Sequence, residues 1–136
     1  MTRTERTAII KENENGFKDT FNNNASAYAI LQLPIEVPYK FRGLRDIKEI
    51  TGQEPNRNDY NVLYAEGLDW EGEITERQFY EIGEALFTQF NIGERPDNYY
   101  GTSMSVSDVV IIKINGTIKA FYVDNFGFKA LENFAV

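Results

Sequence analysis

Cysteine and histidine are both absent from this 136-residue chain. Without cysteine there are no disulfides, no thiolate nucleophile and no cysteine-ligated metal. Without histidine there is no Ser-His-Asp or Cys-His catalysis, no HExxH zinc site and no imidazole proton shuttle near neutral pH. No apolar run approaches the roughly 20 residues of a membrane-spanning helix. The N-terminus also lacks the basic-then-apolar order of a signal peptide. Cytoplasmic residence without a membrane partner is the default expectation. Neither a GxxxxGK[ST] loop nor a GxGxxG turn after a strand is present, so no cofactor is expected.

What is plentiful is aromatic: ten Phe and eight Tyr, with 42% of the chain hydrophobic. That suffices for one disulfide-free core but leaves no room for two domains. Negative charge is also in excess, with a formal net charge of −7. Nine acids lie between Glu66 and Asp97, opposed in sequence only by Arg77 and Arg95, whereas acids and bases balance elsewhere. Such a field repels phosphate, so direct nucleic-acid binding is not expected, and it attracts basic protein surfaces. Acidic helices also serve simply as solvated faces.

The strongest local signal is Asn115-Gly116 between two β-branched runs. Both central positions of a type I′ turn need φ > 0, which Asn and Gly tolerate best. The two-residue loop sets Ile114 opposite Thr117, Ile112 opposite Lys119 and Val110 opposite Phe121 in a hairpin over 109–123. Its root is apolar on both faces, which predicts packing on each side. Lys113 and Lys119 are expected towards the exposed tip. The register draws Asp108 and Asp124 together, a pair that either closes two turns or binds a cation. The bend 125–128 reads as placing Phe126 and Phe128 in the core.

Upstream, residues 1–26 read as a polar leader, mobile over much of its length, with Ala8, Ile9, Ile10 and Phe17 as anchors for a short strand or turn. Residues 28–33 read as a buried strand and 39–41 as a short edge strand after Pro38. Leu44, Ile47 and Ile50 fall at helical spacing before Gly52, and 60–65 form another strand. Thr75 and Gln78 make a capping box. Phe79, Ile82, Leu86 and Phe90 then stripe one face of a long helix that ends near Gly93. The expected class is α+β: a mostly antiparallel sheet of about four or five strands carrying one long and one short helix.

Residues 28–33, 58–64, 87–92, 103–110 and 121–128, the last two stretches most specifically, resemble the YodL-like domain over about residues 27–134, within a domain taken as 27–136. The resemblance implies no established enzymatic activity, so no catalytic residue carries over. It implies either interference with the cell-shape protein MreB or, from the family's setting in phages, plasmids and conjugative elements, inhibition of a host defence system. The leading expectation is a non-enzymatic acidic inhibitor encoded by a mobile element, acting as a monomer or homodimer. It would mask a basic surface on a host protein such as a CRISPR effector or other defence nuclease. The partner-binding residues would be Glu66, Asp69, Trp70, Glu71, Glu73, Glu76, Glu81 and Glu84, with Trp70 as a hot spot ringed by charge. A third reading is a metal-dependent enzyme using Asp108 and Asp124.

Overall fold

A computed structural model describes residues 2–134. The elements run α1 (Arg3–Asn23), β1 (Ala27–Gln32), α2 (Leu44–Thr51), a 3-10 turn (Arg57–Asp59), β2 (Asn61–Gly67), α3 (Glu76–Ile92), β3 (Val109–Ile114), β4 (Thr117–Val123) and β5 (Phe128–Leu131). The strands form one antiparallel sheet in the order β2-β1-β3-β4-β5. The fold is α+β.

The hairpin register is the one its turn dictates. Ile114 pairs with Thr117, Ile112 with Lys119 and Val110 with Phe121, and Asn115 and Gly116 both take positive φ. Strands β1 and β3 are central and buried on both faces, as the two-sided apolar pattern requires. Alternation sorts their side chains into two cores. Ala27, Ala29, Leu31, Val109 and Ile111 meet Phe17 and Phe21 of α1 and Ile47 of α2. Tyr28, Ile30, Val110 and Ile112 meet Phe79, Leu86 and Phe90 of α3 on the opposite face. The sheet is therefore a middle layer between helices.

Helix α3 starts with its capping box complete: Gln78 N–H donates to Thr75 Oγ1 at 3.2 Å, and Thr75 N–H to Gln78 Oε1 at 2.8 Å. Its aromatic stripe faces the sheet, with Phe79, Leu86 and Phe90 buried and Ile82 half-buried. Helix α2 stops at Gly52 in the left-handed region, whose N–H donates to Lys48 O.

Four expectations change. Instead of a mobile leader, residues 3–23 form a 21-residue helix. Thr2 caps it by accepting from Glu5 N–H at 3.1 Å. Phe17 and Phe21, one turn apart, bury against the sheet, and Arg57 clasps Glu14 with Nη2 2.5 Å from Oε2. Lys113 is half-buried rather than at a free tip, and donates to the Phe21 carbonyl at the last turn of α1. Residues 39–41 are turn rather than strand, in a series of tight turns whose N–H groups reach Pro34, Val37 and Tyr39 carbonyls. Phe126 stands 91% exposed, and only Phe128 of the bend turns inward, packing edge-on against Phe87.

Candidate functional site

The acidic residues gather where β2 hands over to α3. Two hydrogen bonds hold loop 68–74 at the Ala27–Gly67 end of the sheet and a third braces it internally. Leu68 N–H donates to Ser26 O at 2.9 Å. Trp70 Nε1 and Asn115 Nδ2 both donate to Gly72 O, at 3.1 and 2.8 Å. Asn115 thus does two jobs, making the hairpin turn and tying that turn to the loop. The Leu68, Trp70 and Ile74 side chains pack on the α3-side core. The charged residues between them are turned outward.

The eight residues singled out from sequence divide into two groups. Glu66 Oε2 accepts from the Tyr28 and Tyr64 hydroxyls at 2.9 and 3.0 Å. Glu76 pairs with Lys119 of β4, and Glu81 with Arg77 one turn before it. Trp70 is half-buried, its ring resting on the core edge. Asp69, Glu71, Glu73 and Glu84 are exposed and make no ion pair among the described residues. Three of these four belong to the clamped loop, and Glu84 lies on the solvent face of the helix that the loop enters. Lys119 is the base that sequence proximity missed, since it reaches Glu76 from a strand 43 residues away.

Asp108 and Asp124 do not share a site. Asp124 Oδ1 accepts from Leu44 N–H at 3.1 Å, serving the first turn of α2, and from Asn125 N–H at 2.8 Å. Asp108 is fully buried. Its Oδ2 accepts from Ser105 N–H at 2.9 Å and from Gln32 Nε2 at 3.0 Å, while Oδ1 has no partner among the described residues. Desolvation pushes its carboxyl up to about 7, outweighing the two donors and the Lys40 ammonium, which act the other way. Next to it, Ser107 accepts the Phe41 N–H on Oγ at 2.9 Å and the Tyr60 hydroxyl on its carbonyl at 2.7 Å. Both aspartates therefore close turns, Asp108 from inside the protein. Among the described residues, no group of three or more acids is disposed to hold a metal ion. None of the helices there is long and apolar enough to cross a membrane.

Similarity to known proteins is confined to the family level. No curated protein and no solved structure matches the chain. A model of the YodL-like domain matches residues 27–134, from the first strand to the last buried aromatic, with α1 outside it. With the matched segment spanning the whole five-stranded sheet and both helices between its strands, the chain belongs to the YodL-like domain family.

Proposed function

We propose that this protein is a non-catalytic binding protein that docks on a basic protein surface through residues 69–73 and the outer face of α3. One observation carries the reading. Asp69, Glu71 and Glu73 stand exposed and unpaired among the described residues, on a loop fixed by the Leu68 N–H bond to Ser26 O and the Asn115 side-chain bond to Gly72 O. A fixed loop loses little conformational freedom on association, so its charges act without an ordering cost. Half-buried Trp70 adds a rigid aromatic surface among them. The fitting partner is a protein whose working surface is basic because it holds nucleic acid. In the mobile-element setting that the family resemblance implies, this is a host defence nuclease or CRISPR effector, inhibited by masking.

The test is affinity purification from a host with the wild-type protein and with the D69K/E71K/E73K variant. The wild type should retain a basic partner that the variant loses. Raising salt from about 0.1 M to about 1 M, which shortens the screening length from roughly 10 to roughly 3 Å, should slow association more than it speeds dissociation. Equal recovery of the same partner by both proteins would remove the electrostatic basis of the reading.

A further inference from the structure

At the opposite end of β1 from the acidic loop, Gln32 faces a cavity of about 520 Å³. Its wall is chemically unlike the rest of the surface. Two cations line it, Arg6 from α1 and Lys40 from the turn segment, and among the described residues no carboxylate does, although the chain carries a net charge of −7. Phe41 and Tyr99 supply aromatic rings. Glu36 reaches Arg6 from outside at 3.4 Å, an exposed contact of the kind that water readily displaces.

The cavity is held in shape at some conformational cost. Phe41 has φ 68, which a bulky side chain rarely adopts, and Gly101 has φ 149. At Gly101 a Cβ would lie 2.5 Å from Leu63 Cδ1 and 3.1 Å from Gln32 Oε1, so the backbone hugs the cavity wall there. Phe41 is kept in place by its N–H bond to Ser107 Oγ, itself at φ 82. Backbone strain beside a cavity, secured by a hydrogen bond from a distant segment, is typical of sites that present side chains to a ligand. Lys40 is mostly buried. Its Nζ donates to Leu33 O at 2.5 Å and sits 4.8 Å from the Phe41 ring centroid, which fixes the cation beside an aromatic face. Gln32 forms the floor, bridging Thr102 in the wall to the buried Asp108 carboxyl behind it.

We propose that this cavity binds a small organic acid with a flat apolar or aromatic body, its carboxylate between Arg6 and Lys40 and its body against Phe41 and Tyr99. Guanidinium and ammonium groups together suit a carboxylate. The volume lies within the range of small-ligand sites, about 300–1,000 Å³. The site is remote from the acidic loop, so it stands or falls independently of the proposed docking function.

Phenylpropionate is the probe, and phenylpropanol its neutral counterpart, each titrated into isotope-labelled full-length protein and followed by backbone amide chemical shifts. The acid should give saturable shifts centred on Lys40, Phe41, Gly101 and Thr102, and the alcohol should bind about tenfold more weakly, having lost a charge-assisted contact. Arg6→Gln, on an exposed helical position that leaves the fold intact, should weaken the acid roughly fivefold. D69K/E71K/E73K should leave that affinity unchanged. Equal binding of acid and alcohol, shifts centred elsewhere, or full affinity in Arg6→Gln would each overturn the assignment.

Discussion

The Asp108 carboxyl offers an unusually isolated measurement, because a chain without histidine has no imidazole to titrate between pH 5 and 8. Burial raises this group from 3.8 to about 7. Between those two values the folded protein holds a proton that the unfolded chain has released. The native state therefore binds more protons, and stability falls as pH rises. The contribution is fully present below the unfolded value and is lost once pH passes the folded one. One proton corresponds to about 1.4 kcal/mol per pH unit, so a rise from 3.8 to about 7 amounts to about 4 kcal/mol. Of the groups that face this carboxyl, the tyrosines do not change charge in that window. Lys40 is lowered by burial but supported by Asp108 itself. Tyr60, Tyr99 and Tyr122 are pushed further up by burial and stay neutral. The perturbation is Asp108→Asn, which keeps the shape and removes the titration. Urea denaturation of both proteins from pH 4 to pH 8.5, followed by circular dichroism, yields the stability of wild type minus variant. That difference should decline through the window and level off above about pH 7. A difference that stays flat between pH 5 and 7 would refute the claim that Asp108 is buried and protonated near neutrality.

Two further outcomes test the packing. Phe21→Ala should destabilise the protein by about 3 kcal/mol, because the ring is buried under α1; a thermal shift within error of wild type would mean that α1 does not pack on the sheet. Gly116→Ala should cost about 1 kcal/mol, from backbone conformation alone, since φ is 85 and nothing lies within 4 Å of an added Cβ; a several-fold larger loss in urea titration would show that the turn is sterically confined instead.

Legibility followed the range of the interactions. The hairpin was readable pair by pair because Asn115-Gly116 sets both the turn and the register, and the two-residue period places every side chain. The capping box at Thr75 and Gln78 is equally local. Helix α1 has its own local mark, Thr2 and Glu5 at capping-box spacing before Phe17 and Phe21 one turn apart. Its polar composition concealed these, because the helix is held mainly by contacts with residues of the sheet. Strand β5 is four residues long with only Leu131 buried, too short to show alternation. Residues 39–41 read as a short edge strand after Pro38, but Phe41 sits in the left-handed region, secured by Ser107 from 66 residues away. The site followed the same rule. The acidic loop was visible as composition, whereas the Glu76 ion pair with Lys119 and the burial of Asp108 behind Gln32 are products of distant chain meeting in space.

The position of α1 outside the matched family segment has a practical outcome for anyone trimming the protein to its recognisable part. Cutting before Ala27 strips away the lid over Leu31, Val62 and Ile111, leaving an oily sheet open to water. It also strips partners from two cations, since Arg57 loses the Glu14 carboxylate and Lys113 the Phe21 carbonyl. Such a fragment should clump rather than fold, even though it retains every residue by which its kinship is recognised.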